Sequence, residues 1–298
     1  MTSSRLTLIL AATASNGIGK SNHLPWRLPK EMSYFSRVTS FVPPNNTSDE
    51  PEVKMNAVVM GRKSWEAIPD KYRPLAGRVN VVVSRNEEYT ITKKDCKAVP
   101  TLLYTTSLAG AISSLTSTSP TPLAAFAHHP DHATTPHLNR VFIIGGGQLY
   151  DAALDLRTPS HGSFADRILV TRIYEPDYEC DVFFPDFLKV DHAGTGVTPW
   201  RRASHEELEG WVGIGVPRGI VEEKDAKYEF QMWTSGSGLS TSPGIRSSGN
   251  WELWMLHEFP DPTSSLCICT LRPAGVVLVP ALPSSCSLTR VFFLAADH

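Results

Sequence analysis

Apolar residues fall into short unbroken runs, separated by polar stretches rich in Gly, Pro and Ser. Leu6–Ala12, Asn56–Met60, Val79–Val83, Val141–Ile144 and Ile168–Ile173 are such runs. A strand covered on both faces needs no polar side, so these runs predict buried strands of a largely parallel sheet. Thr101–Tyr104 predicts a further short strand, and Arg201–His205 and Tyr228–Trp233 predict closing strands. Within Arg201–His205 and just after it, His205-Glu206-Glu207 reads as alternation along a half-exposed strand. From Pro29 to about Ser40 the period changes: Met32 and Phe35 recur at helical spacing, with Tyr34, Val38 and Phe41 on a neighbouring stripe. That predicts an amphipathic helix opened by Pro29. Ser107–Leu115 predicts a second helix with Ser107 as its cap. Alternating strands and helices define an α/β fold.

Glu31 breaks the apolar pattern of the first helix. It stands four residues before Phe35 and so shares that face. Either it is a helix-start charge favoured by the macrodipole, or it is an acid set deliberately into an apolar wall. The segment before it, Gly17–Trp26, reads as a loop with a flexible glycine start.

The ends of the other strands carry chemistry too. Met60 runs into Gly61-Arg62-Lys63-Ser64, a strand, a glycine, two bases and a hydroxyl before a helix start. That is an anion site or a capped, solvated helix start. Val83 runs into Ser84-Arg85, at the edge where ligands gather in open α/β sheets. Ile144 runs into Gly145-Gly146-Gly147-Gln148-Leu149-Tyr150. This is not a G-x-G-x-x-G fingerprint, because Tyr150 stands where the last glycine belongs. Either a helix packs tightly there or a cofactor lies against the main chain. Asp181–Pro185 reads as an aromatic plug.

Composition narrows the function classes. The 298 residues carry a net charge of −2, which implies no broad electropositive surface and argues against nucleic acid. The N-terminus lacks a secretory pattern, and no apolar run reaches the length of a bilayer span. Cys96, Cys180, Cys267, Cys269 and Cys286 are scattered and odd in number, as expected in a reducing compartment. His128, His129, His132 and His137 fall in or beside a Ser/Thr/Pro-rich loop without ligand spacing, so no metal is expected. Insertions are expected near 43–54 and 117–137. The folded domain is expected to span 1–233, with 234–298 a Gly/Ser linker and low-order tail.

Taken in order, Asn16-Gly17-Ile18-Gly19, Leu24-Pro25-Trp26, the acidic helix, Met60-Gly61-Arg62-Lys63-Ser64-Trp65, Gly77-Arg78, Ser84-Arg85, Ile144-Gly145-Gly146-Gly147 and Thr171-Arg172-Ile173 resemble dihydrofolate reductase of the fungal or eukaryotic type. The resemblance covers about Leu6 to Trp233 and implies a three-layer sandwich around a central eight-stranded, mostly parallel sheet with flanking helices. It implies reduction of 7,8-dihydrofolate with NADPH. Glu31, Thr171 and Trp26 become the catalytic set, with Glu31 pairing with the pterin. Ile9, Met32, Phe35, Ile68 and Ile144 border the substrate, and Arg78 holds its glutamate carboxylate. Ala11, Ile18, Gly19 and the run Gly145, Gly146, Gly147, Gln148, Leu149 and Tyr150 belong to the cofactor. So do Gly61, Arg62, Lys63, Ser64, Ser84 and Arg85 at its phosphates, with Arg62, Ser84 and Arg85 at the 2′-phosphate. A cis Gly145–Gly146 bond and a closing lid over Gly17–Leu24 are also expected. His23 departs from the acid that many relatives carry beside the lid leucine. A cytoplasmic monomer is implied, with mitochondrial or nuclear placement open. A same-fold reductase of a flavin-pathway pyrimidine and a non-catalytic folate- or nucleotide-binding protein stay as alternatives. Glu31 and Arg78 together speak against the pyrimidine reductase, since that substrate has no glutamate tail.

Overall fold

The computed structural model describes residues 4–44, 54–91, 101–104, 107–116, 137–156, 163–189 and 200–235, and the backbone of 266–270 and 276–280. The strands are β1 (Ser4–Thr13), β2 (Gly17–Gly19), β3 (Lys54–Gly61), β4 (Arg78–Val83), β5 (Thr101–Tyr104), β6 (His137–Ile143), β7 (Ser163–Glu175), β8 (Val182–Phe183), β9 (Trp200–Arg202), β10 (Ile220–Glu223) and β11 (Ala226–Ser235). The helices are α1 (Pro29–Ser40), α2 (Arg62–Ala67), α3 (Leu108–Thr116), α4 (Gly147–Asp155) and α5 (His205–Val212).

Eight strands form one continuous sheet in the order β10-β11-β7-β1-β6-β3-β4-β5, and the short β9 pairs with β11. The six strands from β7 to β5 are parallel; β11 runs antiparallel to β7, and β10 antiparallel to β11. From β3 the chain steps outward through β4 and β5. It then returns with β6 to the gap between β1 and β3, and places β7 on the far side of β1. That change of direction opens a crevice at the carboxyl ends of the central strands. Register fixes what meets there: Ala11 lies opposite Thr171, Leu8 opposite Ile143, and Gly61 opposite Val83.

Period-two alternation divides the apolar runs between two cores. Leu8, Leu10, Val59 and Ile143 face a layer with Ile112, Leu154, Phe184 and Trp200. Ile9, Val58, Met60 and Phe142 face Tyr34, Val38, Leu208, Tyr228 and Phe230. Both faces of the sheet are covered, which is why its strands carry no polar stripe. Phe184 is buried as the plug requires, whereas Phe183 is exposed.

The helix over Ser107–Leu115 forms one residue later at each end, with Ser107 Oγ accepting the Gly110 amide at 3.2 Å. The expected strand over Arg201–His205 ends at Arg202. Residues His205, Glu206 and Glu207 instead begin α5. Ser204 Oγ accepts the Glu207 amide at 3.2 Å, and Glu207 Oε2 accepts the Ser204 amide at 2.7 Å, closing a capping box. The Ser-x-x-Glu spacing was present in the sequence and outweighs the local alternation. Among the described residues three bonds are cis, Arg73–Pro74, Glu175–Pro176 and the expected Gly145–Gly146.

Contacts divide the chain into Met1–Ser240 and Thr241–His298. Within the second unit β12 (Leu266–Thr270) and β13 (Val276–Pro280) pair antiparallel. Most of both expected insertions, and His128, His129 and His132, lie outside the described residues. Among the described residues no helix is long and apolar enough to cross a membrane.

Candidate active site

Helix α1 has the expected bounds, and of its two expected apolar stripes the one with Tyr34 and Val38 is buried. Glu31, Tyr34, Val38 and Thr39 are buried, Phe35 is half-buried, and Met32 is 46% exposed. Residues three and seven apart from Glu31 fall on its face, so the acid belongs to the Tyr34–Val38 stripe. Met32 and Phe35 lie on the flank that faces the open side.

Glu31 is 6% exposed and accepts a hydrogen bond from Thr171 Oγ1 at 3.3 Å. Burial raises its pKa to about 7; the Thr171 hydroxyl opposes that shift, and the charge of Glu223 adds to it. Among the described residues no cation pairs with it. Two nearby polar groups are orphaned. Trp26 Nε1 and Tyr34 Oη are buried with no hydrogen-bond partner among the described residues. Burial, and then the Glu31 charge, push the Tyr34 phenol upward. Unpaired buried donors cost about 1–3 kcal/mol each, an expense a binding site can recover when a polar ligand arrives. The Trp26 ring packs at 5.5 Å against Tyr178.

Ile9 lies within β1 and Ile144 directly follows β6, the first buried and the second half-buried. The Ile9 carbonyl already accepts the Tyr150 hydroxyl at 2.8 Å. Ile68 ends α2 and packs on the same core as Phe35 and Ala11. Arg78 is buried at the start of β4, and burial lowers its pKa to about 10. Its Nη1 donates to Thr39 Oγ1 at 2.6 Å and its Nε to the Ala76 carbonyl at 2.9 Å. Nη2 has no hydrogen-bond partner among the described residues. Thr39 in turn donates to the Phe35 carbonyl at 2.7 Å, so the guanidinium is fixed to the far end of the helix that carries Glu31.

Across the crevice, glycines bring two strand ends together. The Gly61 amide donates to the Gly145 carbonyl at 2.8 Å. Gly145 has φ +111°. A Cβ on Gly146 would stand 3.3 Å from Ser64 Oγ, and one on Gly147 3.1 Å from Val182. Leu149 and Tyr150 are buried in α4. Arg85 Nη2 donates to Gln148 Oε1 at 2.9 Å, and Arg62 lies 5.6 Å from the Tyr89 ring centroid. Arg62 and Lys63 open α2 beside them. Ser84 is buried, and its hydroxyl exchanges hydrogen bonds with the Asn86 backbone at 3.1 and 3.3 Å. It serves the turn after β4 rather than presenting itself outward.

The Gly17–Leu24 loop is held in place. Gly17–Gly19, bearing Ile18, pairs antiparallel with Val182–Phe183. Lys20 and His23 exchange two backbone bonds of 2.9 Å around Ser21 and Asn22, both at positive φ. Ser21 N donates to Asp181 Oδ2 at 2.8 Å, and Asn22 Nδ2 donates to the Lys63 carbonyl at 3.3 Å. The segment therefore bridges α2 and the strand after β7.

Three residues that shape the site escaped the sequence reading: Thr39, Glu223 and Tyr34 as a polar group. Glu223 sits in the run Glu222-Glu223-Lys224-Asp225, which looks like any solvated turn.

A buried acid beside a parallel sheet, with glycines and arginines at the neighbouring strand ends, is an arrangement that suits a nucleotide-dependent α/β enzyme. The donor set of Arg62, Lys63 and Arg85 with close-approach glycines fits a phosphorylated dinucleotide. A family model described as dihydrofolate reductase matches residues 5–208. The dihydrofolate reductase of Pneumocystis carinii is 45% identical over 234 residues, covering 77% of this chain and 96% of that protein. That of Cryptococcus neoformans is 38% identical over 241 residues, covering 76% and 93%. That of Candida albicans is 30% identical over 227 residues, covering 76% and 95%. The chain belongs to the dihydrofolate reductase family.

Proposed function

We propose that this chain reduces 7,8-dihydrofolate to tetrahydrofolate with NADPH, feeding one-carbon metabolism. The observation that carries the reading is Glu31: a buried acid, poised near neutrality, hydrogen-bonded to Thr171 of β7. Bound NADPH supplies the hydride. The protein holds the substrate ring, keeps water away and manages one proton. Glu31 pairs with the ring N–H and amino group and, being half-protonated near pH 7, raises the availability of a proton for the ring nitrogen. Thr171 orients it, and the unpaired Trp26 Nε1 offers a donor on the same side. The Ile9 and Ile144 carbonyls border the ring edge, and Met32, Phe35 and Ile68 wall its flank.

Arg78 holds the glutamate carboxylate with the edge of its guanidinium that Ala76 does not occupy. Ala11, Ile18 and Gly19 line the nicotinamide, and Gly61 with Gly145–Tyr150 shapes the cleft for the dinucleotide. Lys63 and Ser64 meet its phosphates. Arg62 and Arg85 take the 2′-phosphate, with Ser84 supporting the turn. The lid over Gly17–Leu24 excludes bulk water, which strengthens each polar contact inside. Catalysis by a cytoplasmic monomer, with no nucleic acid or membrane partner, completes the proposal.

NADPH consumption with dihydrofolate, measured on the whole chain and on Glu31→Gln, tests it. Turnover by the native chain and its near-loss in the variant are expected. A folded chain that binds folate without turnover would favour a binding protein instead.

A further inference from the structure

The helix that carries Glu31 starts without a cap of its own. Leu28 occupies the N-cap position and makes no side-chain bond, and Pro29 has no amide hydrogen to offer. The neighbouring amide, that of Lys30, is satisfied from 193 residues further along the chain. Glu223 Oε1 and Oε2 accept it at 3.0 and 3.2 Å. Tyr228 Oη donates to Glu223 Oε2 at 2.8 Å, and Glu223 is 8% exposed. The turn between β10 and β11 is joined to the same segment twice more. Lys224 Nζ donates to the Arg27 carbonyl and Lys30 Nζ to the Glu222 carbonyl, each at 3.3 Å.

We propose that Glu223 is a positioning residue for catalysis: it fixes the start of the helix that bears Glu31 and places a second negative charge behind that acid. A serine or threonine at position 28 would have capped the helix locally. A carboxylate brought from a distant hairpin does more, because it is both an acceptor and a charge. Both of its oxygens accept hydrogen bonds, from Lys30 N and from Tyr228 Oη, which makes its burial tolerable.

The groups whose charge or hydrogen bond acts on Glu31, or on which its charge acts, can be named by element. They are Tyr34 from α1, Tyr150 from α4, Thr171 from β7, Tyr228 from β11 and Glu223 at the end of β10. Of these only Glu223 is a carboxylate. Around Glu223 stand Lys30, Lys224 and Tyr228, with Asp225 in the same turn. Like charge in dry surroundings disfavours ionisation of Glu31, in the same direction as its burial, which is the larger cause.

Glu223 has this role only if Glu31 is the acid of the reductase reaction, so Glu31→Gln is carried as a control. The experiment is single-turnover hydride transfer from about pH 5 to about pH 9, with thermal unfolding, on the full chain and on Glu223→Gln and Glu223→Ala. The Gln variant keeps one carbonyl acceptor for the Lys30 amide and loses the charge, its NH2 able to donate to the Tyr228 hydroxyl in place of the bond that hydroxyl now makes. Its pH midpoint should move down by about half a unit to one unit. That lowers the rate above neutrality roughly 3- to 10-fold while leaving it nearly unchanged at about pH 5. The Ala variant loses the acceptor too, so its rate should fall at every pH and its melting temperature should drop. A folded Gln variant with the native midpoint would overturn the proposal, as would an Ala variant with native rates. A native profile that Glu31→Gln leaves unaltered would remove the acid itself, and the role of Glu223 with it.

Discussion

Thr171 and Glu31 are both buried, and the threonine hydroxyl donates to Glu31 Oε1 at 3.3 Å. This bond ties the strand beside β1 to the helix that follows it. Among the described residues it is the contact that holds the Glu31 proton affinity down while burial and Glu223 push it up. Thr171→Val should therefore move the midpoint of the pH–rate profile upward, opposite to the change expected for Glu223→Gln. Hydride-transfer rates measured across neutrality check it; an unmoved midpoint would mean the bond does not matter to the acid.

Glu31→Gln should separate activity from stability. The folded acid binds its proton with a pKa of about 7 against an ordinary 4.5, so between those values the folded state holds more protons than the unfolded one. Stability from this group is therefore full below about pH 4.5 and is lost as pH rises through about 7. A neutral glutamine avoids that loss, worth up to about 3 kcal/mol. The variant should melt several degrees higher than the native chain at about pH 8, with the gap closing toward about pH 4. Its turnover should fall by about 10²-fold or more. Equal melting curves at alkaline pH would show that Glu31 is not desolvated.

Arg78→Leu should weaken folate far more than NADPH. Thr39→Val should do the same to a smaller degree, because the Thr39 hydroxyl holds Nη1 in place at 2.6 Å. The loss should approach about 2 kcal/mol for Arg78→Leu, as for a charge-assisted bond. Binding titrations with each ligand separately give the answer; equal weakening of both would point to a general defect.

Arg85→Ala should raise the Michaelis constant for NADPH roughly ten-fold and leave NADH use nearly unchanged, since only NADPH carries the 2′-phosphate. Arg85 already donates to Gln148, which directly follows the three glycines after β6. Parallel losses with both cofactors would place Arg85 elsewhere.

Removal of residues after Ser240 should leave turnover and melting temperature within a few degrees of native. The sheet closes with β11 at Ser235, where Ser235 still pairs with Trp200, so a cut after Trp233 would remove ladder pairs that a cut after Ser240 keeps. Activity assays and thermal melts of the shortened chain decide it.

The continuous apolar runs determined the buried strands, because a strand with no polar side must be covered on both faces. The Pro29 start and the helical spacing after it determined α1. The ordered motifs determined the family. Tertiary structure decided which face of α1 turns inward, since Glu31 goes in with Tyr34 and Val38 while Met32 stays at the surface. It also decided that Ser84 turns to Asn86 and that a glutamate far along the chain caps the helix of the acid. Side-chain periodicity is a local property and can be read along the chain. Desolvation and hydrogen-bond pairing depend on what other segments bring to the same place, and no spacing in the sequence records that.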